Sequence, residues 1–233
     1  TYENWELIFW DDQSADASWW TARQMAHSDP RIRCFRGPGG QTLGMSRTLA
    51  TSKARGEYLA ILDCDDLWKP QKLALQLEMM EPHADIAFCF SDCEFIDEAG
   101  QVTGTAFVRT PPPFAPYNLY RALLTHPNFM LCPTLFFRAE AIRKAGGFRL
   151  TFGSAELYDL CVRLSKDQLV DWNSFRLAQH RRHPGQFNGT GKAAIYHEVL
   201  QVMQEHRSWR HPAQLRRELG LWGKLAVKTL AHS

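Results

Sequence analysis

No stretch of this chain approaches the roughly 18 continuous apolar residues that cross a bilayer, and no basic-then-apolar leader opens it. Its cysteines, Cys34, Cys64, Cys89, Cys93, Cys132 and Cys161, lack the paired CxxC spacing of a zinc site. They read as reduced core thiols of a cytoplasmic protein. An excess of charge is missing too: 27 basic and 25 acidic residues leave a formal net charge of +2, which excludes the basic footprint of a nucleic-acid binder. Internal repeats and low-complexity segments are absent. The chain opens on Thr1 without an initiator methionine, and the expectation is that a segment precedes it.

What is present is an ordinary globular composition, 45% hydrophobic and 22% charged over 233 residues, enough for one large or two small domains. The most concentrated feature is Glu57 to Pro70, EYLAILDCDDLWKP. Tyr58 to Leu62 has the length and bulk of a strand buried on both faces, and Asp63, Asp65 and Asp66 crowd its C-terminal end. Strand alternation would turn Asp63 and Asp65 toward one ligand and Cys64 and Asp66 away from it. Carboxylates this dense repel one another unless a cation or hydrogen-bond donors lie between them, and open α/β sheets bind ligands beyond strand C-termini. A divalent metal at the strand tip is the economical reading. The alternative is a solvated acidic loop.

The remainder alternates strands and helices. Trp5 to Trp10 reads as a strand stopped by the polar turn from Asp11 to Asp16. Ala17 to His27 follows as a helix carrying Trp20, Met25 and Ala26, with Ser14 or Asp16 placed to cap it. Arg31 to Phe35 reads as a strand, Gly37 to Gly40 as a loop and Thr42 to Ala54 as a helix. A further helix runs from Pro70 to Met80 on the stripe Leu73, Leu77, Met80. Asp85 to Phe90 is a buried strand, and Glu94 to Ile96 pairs with Val102 to Val108 across a turn. Four prolines between Thr110 and Pro116 make that stretch a loop and a candidate lid. Next come a helix near 117–125, a strand from Pro133 to Arg138, a helix from Ala139 to Ala145 ended by Gly146-Gly147, and a helix from Ser154 to Ser165. That last helix carries the core stripe Leu157, Leu160, Cys161, Leu164. Then follow a strand around Trp172 to Leu177, the basic cluster His180 to His183, and two terminal helices.

In this order TYENWEL with DDQSAD, ARGEYLAILDCDDLWKPQKLALQ, PTLFFRAEAIRKAGGF, ELYDLCVRL and HRRHPGQ resemble the family-2 glycosyltransferases, over nearly the whole chain to about Gln186. The resemblance implies an α/β fold of the glycosyltransferase A type, Rossmann-like, with a mixed, mostly parallel sheet flanked by helices. A catalytic domain over 1–190 would be followed by a C-terminal helical extension over 191–233. It implies a metal-dependent inverting enzyme that moves a sugar from a nucleoside-diphosphate sugar to a hydroxyl acceptor of a glycan, in cell-surface glycan or polysaccharide synthesis. Asp12 would accept from the donor base, Asp63 would lie by the ribose, and Arg47 would lie near the donor. Asp65 would bind Mg2+ or Mn2+ bridging the diphosphate, and His183 would close over that site. Hard cations of this kind take oxygen ligands from one or two carboxylates and from substrate phosphates.

Two departures qualify the resemblance. Leu157 stands where such enzymes commonly carry the aspartate that deprotonates the acceptor. That leaves Glu156, about 100° around the helix, as one candidate catalytic residue and Asp159 as another. Asp159 also has the spacing of an ion pair with Arg163. Relatives moreover begin with a strand and helix that this chain lacks, and their absence would leave two strand edges unpaired. The competing functions are a catalytically degenerate nucleotide-sugar-binding protein and, more remotely, a haloacid-dehalogenase-like phosphatase in which LDCDD would supply a nucleophilic aspartate. In the terminal helices Leu215, Leu219, Trp222 and Ala226 line one side, with Arg216, Arg217, Lys224 and Lys228 elsewhere. That pattern suits peripheral membrane contact at the inner face of the plasma membrane, where a lipid-linked acceptor would lie, as well as core packing or self-association.

Overall fold

A computed structural model describes residues 1–106, 119–126, 130–183, 190–206, 213–214, 216–221 and 224. The first two strands, β1 (Leu7–Asp11) and β2 (Ile32–Arg36), pair in parallel and are joined by helix α1 (Ser18–Ser28). Helix α2 (Leu43–Thr51) starts where the Thr42 hydroxyl accepts from the Met45 amide at 3.1 Å, a side-chain N-cap. Then come β3 (Tyr58–Ala60), β4 (Leu67–Trp68), α3 (Lys72–Met80), β5 (Ile86–Ile96), β6 (Val102–Ala106) and α4 (Tyr120–Thr125). A 3-10 turn at Cys132–Thr134, β7 (Phe136–Arg138), α5 (Ala139–Lys144), α6 (Glu156–Asp167), β8 (Leu169–Arg181) and α7 (Thr190–Glu205) complete the order.

The second sheet is mixed and six-stranded, ordered β3-β7-β5-β8-β4 with β6 on β5. The two longest ladders, β5 with β8 and β1 with β2, are parallel, and the short ones are antiparallel. The main core fills with Phe88, Phe90, Phe137, Leu160, Leu164 and Val170, and α7 adds Val199, Val202 and Met203 to it. Met80, Ile86, Cys89 and Phe136 form a second cluster. Helix α5 ends as the sequence requires: Gly146 and Gly147 both take positive φ, and the Gly147 amide returns to the Ile142 carbonyl at 2.9 Å.

Several expectations are corrected. The strand before the aspartates is not buried on both faces: among the described residues β3 pairs with β7 alone, at the edge of its sheet, and is only half buried. Likewise β1 pairs only with β2. Trp20 and Met25 of α1 point outward at 70% and 53% exposure, and Ala22 is the residue that packs. Cys64 is exposed, although all six cysteines are unpaired as expected. Arg217, assigned to the polar side of the last helix, turns inward: it donates to the Leu123 carbonyl and lies 3.3 Å from the Tyr158 hydroxyl, while Leu219 faces outward. The Tyr158 hydroxyl donates to the same Leu123 carbonyl at 3.0 Å, so the guanidinium joins a buried polar pair. The proline-rich loop, Asn128, Pro184 to Gln186, Leu215, Trp222, Ala226 and Lys228 lie outside the described residues. No helix among the described residues is long and apolar enough to cross a membrane.

Candidate functional site

The four residues from Asp63 to Asp66 are a turn rather than a strand extension, closed by the Asp66 amide donating to the Asp63 carbonyl at 3.1 Å. Side-chain directions are therefore set by the turn and not by alternation. Cys64 faces solvent. Asp66 is buried, accepting from the Arg181 amide at 2.8 Å and pairing with Nδ1 of His180 at 3.0 Å. Arg181 also donates from Nε to the Asp65 carbonyl at 2.8 Å and reaches the Asp97 and Glu98 carbonyls at 2.6 and 3.0 Å. The end of β8 thus grips the acidic turn from behind. In the sequence His180 and Asp66 are only parts of separate motifs, and their contact arises because β8 extends to Arg181.

This grip leaves Asp65 facing His183, with Oδ2 and Nε2 3.5 Å apart and both side chains about a third exposed. Among the described residues no three His, Cys, Asp or Glu side chains gather at a metal-holding distance. An oxygen and an imidazole donor converging at an open surface nonetheless fit a cation that takes its other ligands from phosphates and water, as Mg2+ and Mn2+ do.

Asp63 faces the other way. Its Oδ1 accepts from Arg47 at 2.7 Å, and the second amino group of Arg47 donates to Glu156. Arg47 also lies 3.4 Å from the Cys132 sulfur. Glu156 opens α6, is 1% exposed, and its second oxygen is buried without a hydrogen-bond partner among the described residues. Burial pushes the Glu156 carboxyl above its ordinary value, and Arg47 only partly restrains it. Burial works against the Arg47 charge as well, but the Cys132 sulfur and the Glu156 and Asp63 carboxylates outweigh it, so its pKa rises and the guanidinium stays charged. Arg47, Asp63 and Glu156 are separate candidates in the sequence, and the fold joins them.

Other candidates have different surroundings. Leu157 packs against the main core. The Asp159 carboxylate is fully buried between Arg149 at 2.9 Å and Arg163 at 2.7 Å, so the i,i+4 ion pair is real and neither oxygen is open to a substrate. Asp12 accepts from the amides of Gly39 at 3.1 Å and Gln41 at 2.9 Å, anchoring the glycine loop. A side chain at Gly37 would come within 2.7 Å of the same carboxylate. Its neighbour Asp11 is buried. Burial alone would raise its carboxyl, but Ser14 and Arg36 draw it below the usual range.

A polar cluster behind the turn escaped the sequence reading. Trp68 donates to the Pro133 carbonyl at 2.9 Å, Gln76 to the Thr134 carbonyl at 2.8 Å and Lys72 to the Leu135 carbonyl at 3.3 Å. Three side chains from around the start of α3 therefore hold three successive carbonyls of the segment that brings Cys132 to Arg47. Lys72 is fully buried, and burial lowers its ammonium to about 7. The i,i+4 spacing of Lys72 and Gln76 was the available signal, but it reads equally as a solvated helix face.

The chain is similar to known proteins in sequence and in fold. A model described as glycosyl transferase family 2 matches residues 1–146. An uncharacterized protein, y4gI, of Sinorhizobium fredii is 31% identical over 213 residues, 88% of this chain and 22% of that protein. The UDP-Glc:alpha-D-GlcNAc-diphosphoundecaprenol beta-1,3-glucosyltransferase WfgD of Escherichia coli is 34% identical over 97 residues, 42% of this chain and 37% of that one. The mannosyltransferase PcManGT of Pyrobaculum calidifontis, solved with GDP-Man and Mn2+, superposes with a TM-score of 0.62 at 17% identity. That superposition covers 94% of this chain and 60% of the other, a likeness of fold. This chain thus spans between about a fifth and three fifths of the proteins it resembles.

Proposed function

The chain belongs to glycosyl transferase family 2, and from that premise we propose that it binds a nucleoside-diphosphate sugar at the acidic turn. The sugar passes to a hydroxyl acceptor of a cell-surface glycan or polysaccharide. The observation that carries this reading is the division of labour within the turn: Asp65 opens toward His183 while Asp63 is fixed to Arg47. Family membership leaves no place for the phosphatase alternative. The donor chemistries named for the relatives, a UDP-sugar and a GDP-sugar, make both classes the first to test.

Asp65 and His183 would hold Mg2+ or Mn2+, which would supply charge neutralisation for the departing diphosphate. Asp63, held by Arg47, accepts from the ribose, and Asp12 positions the loop beside the donor base. In direct displacement the acceptor oxygen bonds to the anomeric carbon as that carbon's bond to the diphosphate oxygen breaks, inverting the centre. The acceptor proton passes to the unpartnered oxygen of Glu156, whose raised pKa makes it a stronger base than an ordinary carboxylate. Asp159, engaged by two arginines, takes no part.

A second reading, donor binding without turnover, is favoured by Leu157 packing into the core and by the 1% exposure of Glu156. A panel of UDP-, GDP- and dTDP-sugars assayed with Mn2+ for nucleoside-diphosphate release separates the two. Metal-dependent release supports transfer. Donor binding without release supports the second reading, and absence of both overturns the first and the second together.

A further inference from the structure

Helix α6 begins at Glu156 without a cap of its own: the preceding residue, Ala155, has no side chain that can accept from the first turn. The segment that leads into the helix is instead held by a carboxylate from a distant helix. Glu198 of α7 accepts from the amide of Gly153 at 2.8 Å on one oxygen, and from those of Ser154 at 2.9 Å and Ala155 at 2.7 Å on the other. A carboxylate here satisfies three amides at once and lies at the positive end of the helix.

Seven residues further along α7, Glu205 holds Arg149 through two bonds of 2.7 and 2.6 Å. The opposite side of the same segment rests on α2. The Gly44 amide donates to the Phe152 carbonyl at 2.9 Å, and the Thr42 hydroxyl donates to the Leu150 carbonyl. Residues 149–155 are therefore clamped between α7 and α2, and α2 is the helix that carries Arg47.

We infer that Glu198 is a positioning residue of the transfer site: by holding the amides of 153–155 it fixes the start of α6, so that Glu156 meets Arg47 and, through it, Asp63. The inference rests on the reading of Glu156 given above and extends the site to α7, beyond the part of the chain that the family model matches. Glu198 touches neither Arg47 nor the acidic turn in any described contact; it acts through the backbone that presents Glu156, and its charge adds to the rise of the Glu156 carboxyl.

Two substitutions graded by what they leave behind test this. Glu198→Gln keeps one acceptor oxygen, and Glu198→Ala keeps none. The expected order of kcat for the best donor is wild type above Gln above Ala, with at least a tenfold loss in Ala and a donor KM within twofold of wild type. Amide exchange at residues 153–156, measured on the folded proteins, is expected to accelerate at least tenfold in Ala and less in Gln. A rise in KM alongside an unchanged kcat would overturn the positioning role, as would kcat within twofold of wild type in the Ala variant. Should the wild type turn over no donor, the transfer reading fails on its own. The exchange data then still decide the clamp: unchanged exchange at 153–156 in Glu198→Ala overturns it, and selective acceleration there supports it.

Discussion

Arg47 holds the Asp63 carboxylate at 2.7 Å and, with its other amino group, the buried carboxylate of Glu156. The acidic turn and the start of α6 are thereby joined by one guanidinium, with Arg47 and Glu156 109 residues apart in sequence. Replacing it by methionine leaves Glu156 buried without a countercharge. Arg47→Met should lower stability by about 3–5 kcal/mol, and Glu156→Gln in the same chain should recover part of that loss. Denaturant unfolding of the single and double variants measures both, and strict additivity of the two losses would show that the pair is not coupled.

Gly44 lies against the backbone of residues 149–152, and a β-carbon built there falls 2.1 Å from the Arg149 carbonyl oxygen. Backbone cannot swing aside as a side-chain tip does. Gly44→Ala should therefore cost at least about 1–3 kcal/mol, even though alanine is the better helix former. Thermal unfolding checks the sign: a stabilised variant would mean that propensity outweighs the clash.

Lys72 is buried with its ammonium lowered from 10.5 to about 7. Between those values the unfolded chain binds one more proton than the folded one, so stability should rise with pH across that window by up to about 1.4 kcal/mol per pH unit. Lys72→Met has no such proton to lose. Urea unfolding at pH 7 to 10 should show the wild type gaining on the variant, and parallel profiles would contradict the burial of a lowered lysine.

Glu156 carries a carboxyl raised by burial above the ordinary 4.5. If it accepts the acceptor proton, kcat should fall on the acid side through a pKa above that value. Glu156→Gln should remove that limb and lower kcat by about 10²–10⁴. An acid limb that survives in Glu156→Gln assigns the base elsewhere.

The fold was legible where local chemistry is self-sufficient. The Gly146-Gly147 terminator and the core stripe of α6 follow from spacing and residue type. The site was legible as residues and not as contacts. Asp63 and Asp65 stood out by density, but alternation turned them toward one ligand, whereas the chain turns at Cys64 and sends Asp63 to Arg47 and Asp65 to His183. Lys72 and Gln76 looked like any polar pair on a helix, since only the segment at Pro133 to Leu135, some 60 residues away, supplies the carbonyls that make them internal. Glu198 and Glu156 are joined by backbone amides, which no side-chain pattern records.

In the proposed reaction Asp65, with His183, would hold the cation that meets the donor diphosphate. Calorimetric titration of UDP and GDP in the presence and absence of Mn2+, against wild type, Asp65→Ala and His183→Ala, tests it most directly. Manganese should tighten nucleotide binding to the wild type at least tenfold, and each substitution should abolish most of that gain while leaving the metal-free affinity unchanged. Equal manganese enhancement in Asp65→Ala and wild type would contradict the account.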